Sequence, residues 1–221
     1  EKVSTQFEIY FINKGSFDAL HPDKGDFDSY KVNLNYIEIP VVFQYNQQKF
    51  NFEAKEHAQL GVELGLIDFE TGQKLAGSKG SWMQGMMSRS ERALSTLMLD
   101  LKAEDGYTEV SAPFLVNDDC MFGTGQLPKF TEDLYKTTDG KWLIPTSEVP
   151  LTNYVRDKIW KETDLPFKFT GLTPCFRPEA GSAERDVGGI LRVHQFQKVE
   201  MVQIVHPDTS KDAHKEMINS A

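Results

Sequence analysis

The sequence predicts an α+β chain with a small N-terminal β segment, and three observations carry that prediction. Thr173 to Met201 reads as a strand, a charged glycine-bearing loop and a returning strand. Leu94, Leu97, Met98 and Leu101 recur at the spacing of one helix face. Glu1 to about Gln48 alternates with the period of two that strands impose.

In that first segment Phe7, Ile9 and Phe11 share a face, followed by Tyr30, Val32, Leu34 and Tyr36, then by Ile37, Ile39, Val41, Phe43 and Tyr45. Gly15-Ser16, His21-Pro22-Asp23 and Lys24-Gly25-Asp26 supply turn chemistry between the runs. Pro40 lacks an amide hydrogen and moves its run to an edge or to a change of direction. The tyrosine-rich strands weakly resemble outer-membrane barrel pieces, but one or two hairpins cannot close a barrel. Residues 1–48 are therefore read as a β-rich extension.

Composition shifts at about Lys49, where helix formers enter; Gly61 and Gly65 are expected to limit that helix, and Thr71-Gly72 to form a turn before Lys74-Leu75. A longer helix is expected from Ser88 or Ser90 to Ala103, with Ser90 as its cap and Gly106 as its stop. TEVSAPFLV then reads as one strand carrying Pro113, which suits a sheet edge or a subunit boundary. GTGQLPKF, Gly123 to Phe130, is a loop whose glycine spacing matches neither a P-loop nor a dinucleotide fingerprint. KWLIPTSEVPLTNYV is a strand running into a helix that Pro150 begins. Within it Thr146 and Glu148 flank Ser147 on one side, able to hold an ammonium group or to cap that helix.

In the hairpin, alternation puts Cys175, Arg177 and Glu179 on one face of the first arm. His194, Phe196, Lys198, Glu200 and Val202 share a face of the second. No packed core accepts so many charges unpaired. The guanidinium fork of Arg177 suits a phosphate and the ring of Phe196 offers a base a stacking plane. The residues thus fit a nucleotide, although a solvated hairpin with salt-bridged strands has the same alternation.

The formal net charge of −9 argues against a surface that coats nucleic acid broadly, so any such contact must be local. Cys120 and Cys175 each stand beside an apolar or aromatic neighbour, as buried reduced thiols do. The five histidines have no ligand spacing, so no structural zinc and no metal ligand set is expected. No run reaches the eighteen or so apolar residues of a membrane helix.

Together these segments resemble seryl-tRNA synthetases, a family of class II aminoacyl-tRNA synthetases. The resemblance runs from about Phe50 to Val205 through GLIDFETG, ERALSTLMLDLKAEDGYTEVSAPFLV, GTGQLPKF, LIPTSEVPLTN, and TPCFR-EAGSA-RD followed by RVHQF-KVEM. It implies a partial catalytic domain over residues 49–221, an antiparallel sheet of six or seven strands flanked by helices. Class motif 1 falls at about 88–115 and motif 2 at about 173–202. The implied activity is ATP-dependent activation of serine to seryl-adenylate and its transfer to tRNA(Ser), with Mg2+ accompanying ATP, in a cytoplasmic homodimer joined through motif 1. The alternative is a synthetase-derived binding module without catalysis.

Carried over residue by residue, the resemblance implies that Arg177 is catalytic, meeting the α-phosphate and the serine carboxylate. Glu179, Arg192, Val193 and Phe196 would complete the ATP site, Phe196 by stacking on adenine. Thr146, Glu148, Lys198 and Glu200 would join Arg177 around serine, and Arg185 would face the acceptor end of the tRNA. Two residues depart from the family pattern: Gly188 replaces a usual arginine, and Pro178, between Arg177 and Glu179, is expected to delete a ladder donor from the first arm. A third class motif with a second ATP-binding arginine is expected beyond Ala221, and residues 1–48 lack the heptads of the family's tRNA-gripping helical hairpin. An exposed sheet edge with poor solo stability, or a partner covering it, is the corresponding expectation.

Overall fold

The computed structural model describes residues 10–12, 36–38, 55–179 and 189–220. The chain divides into two compact units, Glu1–Ala54 and Lys55–Ala221. In the first, β1 (Tyr10–Ile12) pairs antiparallel with β2 (Tyr36–Glu38), and Phe11 stands opposite Ile37. β2 straddles the boundary between two predicted runs. The remaining strands expected in this segment, with Pro40, lie outside the described residues.

The second unit opens with α1 (His57–Glu63) and α2 (Phe69–Ala76). Gly61 does not limit α1; it lies inside the helix, buried against Ile67. A Cβ at position 61 would sit 2.4 Å from Ile67 Cδ1, so close approach, not chain reversal, is what this glycine supplies. The reversal falls at Gly65, φ 66°. Thr71-Gly72 is likewise not a turn before Lys74-Leu75, since all four residues lie in α2. Asp68 accepts the Thr71 amide at 2.9 Å and the Thr71 hydroxyl at 2.7 Å, and this cap starts α2 ahead of them. Gly61→Ala is expected to destabilise the chain. Alanine is favoured by about 1 kcal/mol within a helix, but overpacking costs about 1–3 kcal/mol, and Ile67 is buried. Urea unfolding measures the difference, and Ile67→Val, which removes the nearest atom, should recover part of it in the double mutant.

α3 (Met86–Glu104) starts ahead of the expected Ser90 cap, because Gly85, φ 60°, turns the chain into the helix and Arg89 N–H already bonds Gly85 O. Its apolar stripe of Leu94, Leu97, Met98 and Leu101 is about half exposed. TEVSAPFLV is not one strand. It gives β3 (Thr108–Glu109), parallel to β6, and β4 (Leu115–Val116), antiparallel to β5 (Trp142–Leu143). Pro113 cannot donate to a ladder, and across it the chain leaves one sheet for the other. On either side Val110 N–H bonds Thr170 O and Ile144 N–H bonds Phe114 O.

α4 (Asp118–Gly123) precedes the expected loop, and α5 (Glu148–Asn153) begins two residues before Pro150. The predicted hairpin is present as β6 (Phe167–Phe176) and β7 (Gln195–Ile204), antiparallel along ten residue pairs. α6 (Ser210–Ser220) closes the described chain. The main sheet has the order β3-β6-β7, antiparallel in its long hairpin and parallel at one edge, with helices around it.

Two cores fix the segment between β5 and α5. Val116, Met121, Leu127, Leu134, Trp142, Ile144 and Val149 form one; Ala112, Leu151, Phe169 and Val202 form the other. Ile144 and Val149 enter the first and Leu151 the second, so Pro145 to Ser147 is held from both sides. In the first core Trp142 Nε1 donates to Asp118 Oδ1, and this bond, followed by the charge of Lys136, holds the Asp118 carboxyl below the usual carboxylate range. A group depressed by folding adds stability above its unfolded pKa and loses it as pH falls through its folded value. Asp118→Asn should therefore lower stability most at neutral pH and least in acid, which flattens the acid side of the stability profile, as urea melts between pH 7 and pH values below the ordinary carboxylate range would record.

Candidate active site

Register builds the site. Gly171 stands opposite Glu200, Thr173 opposite Lys198 and Cys175 opposite Phe196, so these residues share one face of the hairpin. Small residues on β6 face long ones on β7, which leaves room above the first arm. At its end Arg177 N–H bonds His194 O at 2.9 Å, and His194 Nδ1 lies 3.2 Å from Arg177 O. A carbonyl only accepts, so that ring nitrogen carries the hydrogen. The imidazole also meets Tyr135 edge-on at 6.2 Å. Alternation had placed His194 on this face without a role; the structure makes it the lock on the Arg177 backbone.

The Arg177 side chain is half-buried. Its Nε donates to Pro145 O at 3.3 Å, and its guanidinium lies 5.2 Å from the centre of the Phe196 ring. Phosphate-binding and stacking groups thus come from the two arms to one place. Below them, Thr146 donates its hydroxyl hydrogen to Glu200 Oε2 at 2.5 Å. It accepts from Lys198 Nζ and from the Glu148 amide, both at 3.2 Å. One donor and two lone pairs are all that a hydroxyl has, so Thr146, 5% exposed, is saturated. Lys198 Nζ reaches Glu200 Oε2 at 2.7 Å, and Thr170 Oγ1 donates to the Glu200 backbone carbonyl at 2.8 Å. The carboxylate of Glu200 is therefore pre-oriented beside a compensating cation on the face that carries Arg177.

Other expected site residues are placed differently. Glu179 is not on the strand face: β6 ends at Phe176, and Glu179 takes a left-handed φ of 54°. Pro178 does not delete a ladder donor as expected: it stands past the last cross-strand bond, at Arg177, so its missing donor leaves the β6–β7 ladder intact. Glu179 instead meets Arg192 at 3.7 Å, which brings two of the expected ATP-site residues together across the hairpin mouth. Glu148 contributes its amide to the Thr146 hydroxyl and starts α5, which ends the alternation assumed for the Thr146/Glu148 pair. Val193 is half-buried beside Arg192. Arg185 and Gly188 lie outside the described residues.

Cys175 is fully buried under Phe196, and burial pushes its thiol pKa up, so it stays protonated and packs as a small apolar group. Cys120 is only half-buried, and both cysteines are free. Among the described residues no group of three His, Cys, Asp or Glu side chains could hold a metal ion, and no helix is long and apolar enough to cross a membrane.

The hairpin with helices around it thus carries a saturated polar network and an arginine over an aromatic ring on one face. Residues 130–221 match the family model of the tRNA synthetase class II core domain (G, H, P, S and T). Within that class the chain is similar to a part of the seryl-tRNA synthetases. Over 173 residues it is 56% identical to the serine–tRNA ligases of Brucella canis and Brucella suis, covering 78% of this chain. It spans 40% of the length of these relatives. Among solved structures it is similar to the cytoplasmic serine–tRNA ligase of Naegleria fowleri in complex with AMP, with a TM-score of 0.74 and 33% identity over 78% of this chain and 41% of that one. It is also similar to the seryl-tRNA synthetase of Pyrococcus horikoshii complexed with ATP, with a TM-score of 0.73 and 36% identity over 77% and 38%.

Proposed function

We propose that the chain carries the serine and ATP platform of a serine–tRNA ligase and supports formation of seryl-adenylate. The observation that bears most weight is the common face on which Arg177, Phe196 and the Thr146–Lys198–Glu200 network meet. In the reaction a serine carboxylate oxygen bonds to the α-phosphorus of ATP as the α–β bridging bond breaks and pyrophosphate leaves. A carboxylate nucleophile has no proton to lose, so the site must position two anions and neutralise their charge rather than supply a base. Arg177 does this with a fork that can span phosphate and carboxylate. Phe196 gives adenine a stacking plane, and the Glu179–Arg192 pair borders the same end of the hairpin.

Glu200, held by Thr146 and Lys198, faces the substrate amino acid. A buried polar network built to meet a hydroxyl strongly disfavours an analogue without one, which separates serine from alanine. Glu148 completes the ammonium side in this reading, and Arg185 serves the acceptor end of tRNA(Ser). Mg2+ enters as the counter-ion of ATP.

The exposed stripe of α3 supports a homodimer through motif 1, since a helix with this much apolar surface on one face needs a partner. Residues 49–221 form the partial catalytic domain and residues 1–48 a separate β-rich segment. The Naegleria relative, named as cytoplasmic, supports the same compartment here.

Serine-dependent ATP–pyrophosphate exchange by the purified chain tests the proposal. Exchange that requires serine and fails with alanine is expected. AMP binding with no exchange above background would assign the chain to the alternative, a binding module derived from a synthetase.

A further inference from the structure

Both ends of the hairpin mouth are held by residues from the segment that precedes α3. Glu179 has a left-handed backbone, uncommon for a residue with a side chain. Its carbonyl oxygen accepts from Lys79 Nζ at 2.7 Å while its carboxylate meets Arg192. On the return side, Gly189 is also left-handed, φ 73°, and a Cβ there would lie 2.1 Å from His57 Nε2. The next amide, Ile190 N–H, donates to that nitrogen at 3.3 Å. An accepting Nε2 bears no hydrogen, so this bond selects the tautomer with its hydrogen on Nδ1.

His57 is the first residue of α1, which is fixed to the following turn by Gly61 against Ile67, and Lys79 follows α2 in a turn closed by Gly80 N–H on Gly77 O. Ile67 and Met83 bridge antiparallel, and Asp68 N–H bonds Trp82 O, so the two ends of this helical pair are tied together. The pair therefore presents one acceptor and one donor, from a single braced unit, to the two turns at the hairpin mouth.

We propose that His57 and Lys79 are positioning residues: by gripping the Gly189–Ile190 turn and the Glu179 carbonyl they set the Glu179–Arg192 pair in register for the adenine end of ATP. Neither touches the reacting atoms. The proposal rests on reading this face as a nucleotide platform, and it gives the α1–α2 segment a task in substrate binding that sequence spacing had not assigned.

Amide hydrogen exchange and AMP titration calorimetry on the purified chain test it. His57→Ala should speed exchange at Ile190 about three- to tenfold, the amount expected when one modest hydrogen bond is lost. His57→Gln, whose amide oxygen reaches a similar position, should restore most of the protection. Lys79→Ala should weaken AMP binding by a similar factor of about three to ten, and Lys79→Arg should restore it. A generally destabilised fold would not be rescued by these two conservative changes. Ile190 exchange that stays within about twofold of the parent in His57→Ala overturns the His57 grip. Parent-like AMP affinity in both alanine variants overturns the positioning role. If the parent chain itself fails to bind AMP, the nucleotide reading falls, and the Ile190 exchange still decides whether His57 holds the turn.

Discussion

Arg177→Ala is expected to lower serine-dependent pyrophosphate exchange by about 10²- to 10³-fold, the range seen when a preorganised charge-stabilising donor is removed. In the proposed reaction its fork would span phosphate and carboxylate, and its backbone is clamped on both sides by His194. Its Nε bond to Pro145 O also ties it to the segment that carries Thr146. Lysine at this position keeps the charge but not the fork or the stacking on Phe196, so Arg177→Lys should recover only a small part of the loss. AMP affinity should fall less than exchange, because charge develops on the phosphate only as the bond order changes. Exchange that stays within about threefold of the parent chain would remove Arg177 from the proposed chemistry. A thermal melt on the same preparation separates this from unfolding.

Trp142→Ala is expected to cost about 3–5 kcal/mol in urea unfolding, as large aromatic truncations in packed cores do. The side chain is 4% exposed and lies among Val116, Met121, Ile144 and Val149, the core that braces the Thr146 segment. Its Nε1 donor to Asp118 and the Lys136 ammonium 4.5 Å from its ring centre are lost with it. Trp142→Phe retains the ring packing and should cost much less. Because Ile144 and Val149 of this core flank Thr146 in the chain, surviving Trp142→Ala protein should also discriminate serine from alanine less well. A stability loss under about 1 kcal/mol would mean the site segment is held mainly by the second core.

Before any coordinates, the hairpin was legible because two strands of strict alternation leave a charged, aromatic face that only a ligand or solvent explains. The register in the structure puts Phe196, Lys198 and Glu200 on one face, as alternation had it. Helix α3 was legible from its leucine spacing, though not its start, since a left-handed Gly85 capped it where a serine was expected. Glycines misled in the opening helices. Gly61 and Gly72 read as breakers, yet both lie inside helices, Gly61 because a neighbouring side chain approaches too closely for any Cβ. Close approach is a property of two segments and leaves no local signal.

The sequence by itself determined the hairpin, the identity of its arginine and aromatic, and the apolar stripe of α3, because each follows from residue type at a fixed short period. Tertiary structure decided that Glu179 leaves the strand to meet Arg192, that Thr146 is saturated between Lys198 and Glu200, that TEVSAPFLV is shared between two sheets, and that His57 and Lys79 reach the hairpin mouth. Those outcomes depend on pairs of residues tens of positions apart, whose distance is set by how the elements pack and by no periodicity along the chain.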